Sequence, residues 1–104
     1  MRMKQSNKTD GNWSHRHDYP IDEIWNTNNA LARLIEPRLR AFLALDKHGF
    51  PVGFTDMREW NNAIRLMADA FGLMSTTRTL TSEEETAVKT GLNLFCKHYC
   101  NLWN

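Results

Sequence analysis

The stretch Met57-Arg58-Glu59-Trp60-Asn61-Asn62-Ala63-Ile64-Arg65-Leu66-Met67-Ala68-Asp69-Ala70-Phe71-Gly72-Leu73-Met74 decides the fold class. Met57, Trp60, Ile64, Met67, Phe71 and Met74 follow one another in alternating steps of three and four. That spacing puts six large apolar side chains on one face of an α-helix and suits no strand. Ala63 and Ala70 flank the stripe and permit a neighbouring helix to come close, whereas Gly72 weakens the last turn. Thr55 or Asp56 supplies the N-cap.

On the C-terminal side, the polar connector Ser75-Thr76-Thr77-Arg78-Thr79 leads into a second helix. Thr81 with Glu84, or Ser82 with Glu85, forms a capping box at its start. Val88, Leu92, Phe95, Tyr99 and Leu102 make its apolar stripe, widened by Leu94, Cys96 and Trp103. On the N-terminal side, Ile24, Leu31, Leu34, Ile35, Leu39, Phe42 and Leu43 recur at spacings of three, four and seven. Pro20, Asp22 and Glu23 favour a helix start at Ile21, with Asn26 to Asn28 as a second possibility. Pro37 removes a hydrogen bond to the Arg33 carbonyl, so a kink or restart is expected near Glu36. Gly49 is placed to end this helix as a left-handed cap, and Phe50-Pro51-Val52-Gly53-Phe54 reads as a loop whose two aromatics fold back onto the core. The expected fold is all-α: a bundle of three main helices, or four if the first splits at Pro37, over residues 21–104. Residues 1–20, polar and without period, read as a flexible arm carrying one large apolar group, Trp13.

Length and composition narrow the function. A chain of 104 residues holds one domain and one core. With 41% hydrophobic and 24% charged residues it is neither disordered nor membrane-spanning. A net charge of +1 provides no global field for nucleic acid or an anionic membrane, so neither is expected as a partner. The polar N-terminus lacks a signal peptide's apolar segment, which points to a cytoplasm.

Three segments together resemble a family of small helical proteins encoded mainly by tailed bacteriophages. They are Trp25-Asn26 with Leu31-Ala32, Pro37-Arg38-Leu39 and Phe42; Thr55 with Glu59-Trp60-Asn61, Ile64, Met67, Ala70 and Phe71; and Gly91-Leu92, Leu94-Phe95, Tyr99 and Leu102-Trp103. The similarity covers residues 22–104. It implies a phage accessory protein acting in the cytoplasm of the infected bacterial host, and it carries no general assignment of activity. The sequence departs from the family pattern in that Asn28, Asn61 and Asn104 stand where Asp is expected. A metal held by those carboxylates would be lost here, because amides are poorer ligands for hard cations.

The residues with chemical potential are few. Cys96 and Cys100 lie four apart on one helix, with His98 turned by about 160° from Cys96. As packed free thiols they need no metal, and half a zinc site would need ligands from elsewhere, such as His15 and His17. His15-Arg16-His17-Asp18 is able to converge on a metal or phosphate but reads first as part of a solvated arm. No nucleophile elbow, phosphate loop or catalytic constellation is present, so neither an enzyme nor a cofactor is expected. Arg33, Arg38 and Arg40 surround Pro37, and Arg58 and Arg65 lie seven apart on the next helix. Together with Trp25 they form the candidate ligand-binding set, because guanidinium forks suit phosphate and stack on bases. The bland alternative is a set of solvated arginines paired with Glu36 and Asp46. Trp13, Trp60 and Trp103 are the candidate partner-binding residues, and Met57, Met67 and Met74 read as core. The second and third helices carry more apolar surface than one small core needs, which favours a homo-oligomer. The functional expectation is a binding protein that counters host defence by sequestering a nucleotide signal between protomers. The alternative is an inhibitor that covers a host enzyme or defence protein.

Overall fold

The computed structural model describes residues 9–11, 13–14 and 19–104. It is an all-α bundle of three helices: α1 (Thr27–Ala44), α2 (Met57–Met74) and α3 (Ser82–His98). A 3-10 segment, Ile21–Asn26, precedes α1, and another, Tyr99–Asn101, follows α3. Both expected starts of the first helix are therefore used. The acidic pair Asp22 and Glu23 opens the 3-10 turn, and the α-helix begins at Thr27, whose hydroxyl donates to the Ile24 carbonyl at 2.8 Å.

α2 is the central helix. It packs against α1 on one side and α3 on the other, while α1 and α3 make little contact with each other. α1 and α2 run antiparallel: Asn29 reaches the Ser75 carbonyl at 2.6 Å, and Arg40 reaches Asp69 at 2.9 Å. This arrangement explains why the α2 stripe is so regular. Trp60, Ile64 and Met67 are fully buried, and Ala63, Ala68 and Phe71 join Ala32 and Leu39 of α1 in the core. Each fully buried side chain of this size contributes about 1.5–3 kcal/mol before conformational entropy is counted. α3 adds Leu92, Leu94 and Phe95 as partly buried neighbours of that core.

Small residues set the helix approaches. A Cβ on Gly91 would lie 2.3 Å from the Ala70 Cβ and 2.6 Å from the Leu66 carbonyl oxygen, so α3 crosses α2 where neither helix has bulk. At Gly72 the corresponding position lies 2.8 Å from Glu36 Oε2 of α1. Gly72 thus leaves room for the carboxylate of Glu36 beside α2.

Three expectations are corrected. α1 runs unbroken through Pro37, which is exposed, so among the described residues the first helix does not split in two. Gly49 does not adopt a left-handed conformation; Gly53 does, at φ 106°, in a turn closed by Phe54 N–H donating to the Pro51 carbonyl. Lys47 finishes α1 instead. Its ammonium donates to the carbonyls of Phe42, Leu43 and Leu45 at 3.0–3.1 Å and lies 5.2 Å from the Phe42 ring centroid. The carbonyls of Leu43 and Leu45, and that of Phe42 in addition to its bond from the Leu45 N–H, are thereby satisfied by a lysine only 8% exposed, and burial pushes its pKa down. Finally, the described part of the arm is not irregular. β1 (Thr9–Asp10), β2 (Trp13–Ser14) and β3 (Tyr19–Pro20) pair as an antiparallel meander in that order, with Gly11 at φ 56° in the first turn. Strands two residues long leave no period-two signature in a sequence.

The expected caps of the other helices are present. Asp56 accepts from the Glu59 N–H at 2.9 Å, while the Glu59 carboxylate reaches back to the Thr55 N–H and hydroxyl. Thr81 and Glu84 form the capping box of α3, and Arg78 clamps Glu84 with two hydrogen bonds.

Candidate functional site

The end of α1 and the end of the chain meet over the start of α2. Lys47 turns the chain off α1, and the His48 N–H then donates to Asn104 Oδ1 at 2.8 Å. Between the loop His48–Pro51 and residues 101–104 lies a half-open cleft of about 350 Å³. Phe50, Trp60 and Trp103 line it together with His48, Gly49, Pro51, Asn101 and Asn104. Trp60 is 1% exposed and so closes the deep end, whereas Trp103 is 76% exposed at the rim.

Behind the cleft stands an aromatic cluster. The Trp60 ring lies 6.4 Å from Phe42, 5.3 Å from Phe54 and 5.5 Å from His98, and Phe54 lies 5.1 Å from His98. Phe54 folds back as expected, while Phe50 is exposed. His98 is 6% exposed, and its Nδ1 lies 3.4 Å from Asn101 Nδ2. Burial, aided by the neighbouring Lys97 charge, pushes the His98 pKa below its ordinary value. The unfolded chain then binds a proton that the folded one refuses, so stability present above about pH 6.5 is lost as pH falls through the lower folded value.

Glu84 provides a second window at lower pH. Arg78 first, and the Thr81 backbone N–H after it, hold its carboxyl down at about 2. The stability linked to that carboxylate is present above the ordinary value of 4.5 and is lost as pH falls from there toward about 2. Thermal melts from pH 8 to pH 3 are expected to show Tm declining in two steps. In His98→Phe the decline that starts near pH 6.5 disappears, and the step below pH 4.5 stays. A variant that kept the upper step would place its origin in another group.

The sequence-predicted ligand set is dispersed. Arg40 bonds Glu36 and Asp69, and Arg65 approaches the same Asp69 at 3.8 Å. Burial works against the Arg40 charge, yet the hydrogen bonds to Asp69 and Glu36 hold its pKa above the ordinary value. Arg58 lies 3.6 Å from Asp56, and Arg38 donates to the Leu34 carbonyl. Arg33 donates to Asn29 Oδ1 at 2.9 Å and lines a shallower depression with Glu23, Ala30, Leu31 and Leu34. The pairing of Arg40 with Glu36 matches the bland alternative; Asp69 takes the place expected for Asp46. Trp25 is 88% exposed on the 3-10 segment and lines none of these clefts.

Of the expected partner-binding residues, Trp13 and Trp103 are exposed. Trp60 is corrected to a core residue, because its ring is enclosed by Phe42, Phe54 and His98. Cys96 of α3 and Cys100 of the 3-10 segment after it are free and exposed rather than packed, and His98 between them is buried. The His15-Arg16-His17-Asp18 cluster lies outside the described residues. Among the described residues, no three His, Cys, Asp or Glu side chains gather to hold a metal ion. Asn28 and Asn61 belong to opposite ends of the antiparallel α1–α2 pair. Asn61 Oδ1 is buried with no partner among the described residues, while Asn104 is engaged by His48. No described helix is long and apolar enough to cross a membrane.

Sequence reasoning singled out Trp60 and Trp103, and Phe50 and Asn104 for other reasons, but not the cleft they share, nor Asn101 beside it. Residues more than forty positions apart carry no local signal of adjacency. The available hint was the aromatic loop at Phe50–Phe54 paired with a Trp near the other end of the helical domain. No family model matches the chain, and neither a curated protein nor a solved structure does.

Proposed function

We propose that the protein acts by binding another protein, through the apolar side chains that it leaves in water along the 3-10 segment and α1. The observation that carries this reading is Trp25, 88% exposed, followed by the exposed Ile24, Leu31 and Leu34. Leu31 and Leu34 lie three apart on one face of α1, six and nine positions after Trp25. Tryptophan is the residue most enriched among dominant contacts of protein interfaces, and an exposed apolar group of this kind is a common mark of a docking surface. The arginines favour the same reading over a phosphate ligand, since Arg40 and Arg65 are already committed to Asp69 and Arg40 to Glu36. In the phage setting implied by the sequence resemblance, the partner is a host enzyme or defence protein whose surface is covered.

Native mass spectrometry of the protein purified gently from bacterial cells tests this. The expected spectrum contains a complex with one host protein, and Trp25→Ser reduces that species at least tenfold while its circular dichroism stays unchanged. An added mass in the nucleotide range on a homo-oligomer would replace this reading with signal sequestration. A bare monomer from such cells would sink both.

A further inference from the structure

We infer that the cleft between the α1–α2 loop and the C-terminal turn is a binding site for a neutral nucleobase. Its volume, about 350 Å³, lies at the lower end of the range for small-molecule sites and suits one planar heterocycle better than a larger ligand. Three of its lining residues are aromatic: Phe50, Trp60 and Trp103. Trp60, 1% exposed, only floors the cleft, so the stacking faces are those of the exposed Phe50 and Trp103, and every base supports such stacking through its π-face.

The polar groups are the second observation. Asn104 Oδ1 accepts from the His48 N–H, which leaves the Asn104 amide Nδ2 as a free donor. Asn101 Nδ2 is turned toward His98 Nδ1, which leaves Asn101 Oδ1 as a free acceptor. Neither remaining atom has a partner among the described residues. The residues that line the cleft thus include an amide donor and an amide acceptor, the pair that a base edge matches. No lysine or arginine lines the cleft, so a phosphate gains no ionic contact there, and recognition is of the ring. This site shares no residue with the Trp25 surface and stands or falls independently of protein docking.

The test uses the intact protein and the four ribonucleosides, with adenosine 5′-monophosphate as the charged comparison, followed through the indole N–H signals of the tryptophans by NMR. Saturable shifts of the Trp103 and Trp60 signals are expected with at least one nucleoside at millimolar concentration. The dissociation constant should rise about tenfold or more in Trp103→Ala, a change at an exposed position that leaves the fold intact, and stay unchanged in Trp25→Ser. The monophosphate should bind within about threefold of adenosine if adenosine is bound. Absence of shifts with all four nucleosides would overturn the inference, as would shifts that persist unchanged in Trp103→Ala. Binding of the monophosphate more than tenfold tighter would likewise refute a site that reads only the ring.

Discussion

Trp60→Ala is expected to lower the unfolding free energy by about 3–5 kcal/mol, the range for removing a large aromatic from a packed core. Domains of this kind are stabilised by only about 5–15 kcal/mol in total, so the variant should be partly unfolded near its growth temperature. The reason is geometric. Trp60 is in ring contact with α1 through Phe42, with the α1–α2 loop through Phe54 and with α3 through His98. Because α1 and α3 make little contact with each other, few neighbours are free to collapse into the space left behind. Urea denaturation followed by circular dichroism measures the change, and Trp60→Phe should recover roughly half of it. A loss below about 1 kcal/mol would mean that the three elements are held together elsewhere.

Gly91→Ala is the second large effect, and its sign separates local propensity from packing. Inside a helix, alanine is favoured over glycine by about 0.8–1.0 kcal/mol. Here the added Cβ would sit 2.3 Å from the Ala70 Cβ and 2.6 Å from the Leu66 carbonyl oxygen, distances at which one helix must move. Overpacking of this kind costs about 1–3 kcal/mol, and a clash with backbone lies at the upper end because the backbone cannot rotate away. A net loss of about 1–2 kcal/mol is expected, and a larger one for Gly91→Val. Combining Gly91→Ala with Ala70→Gly should restore only part, since the Leu66 carbonyl remains in place. Gly49→Ala is the control: nothing lies within 4 Å of its Cβ position, and the change should stay within about 0.5 kcal/mol. A stabilised Gly91→Ala protein would show that α2 and α3 are free to separate at this crossing.

Much of the fold was legible because helices advertise themselves locally. The stripe from Met57 to Met74 needs no information beyond its own spacing, and Thr81 with Glu84 satisfies a helix start using neighbours three residues apart. Apolar spacing alone does not tell a side chain that closes the core from one that ends in water. Phe95 and Tyr99 belong to one stripe of α3, yet Phe95 packs on Phe71 while Tyr99 is mostly exposed. Trp60 and Trp103 looked alike as large aromatics in the helical domain, and the bundle buries one and leaves the other at a cleft rim.

Electrostatic partners were less legible still. Glu36 was the foreseeable partner of Arg40 because four residues separate them on one helix. Asp69 was not, because it comes from another helix twenty-nine positions away. The end of α1 followed the same rule. Glycine is the common local device for stopping a helix, so Gly49 was the natural reading, but Lys47 reaches back to three carbonyls and makes a left-handed residue unnecessary there.

The sequence by itself determined the class of fold, the start of each helix to within a few residues and the composition of the central stripe, because these depend on interactions that span one or two turns of chain. The tertiary structure decided which helix is central, which tryptophans meet water, which arginines are already paired and that a cleft joins His48–Pro51 to residues 101–104. Those outcomes depend on how two helix faces divide the burial available on α2. That division is settled by where small residues such as Gly72 and Gly91 let a neighbour approach, a property of contacts between distant residues.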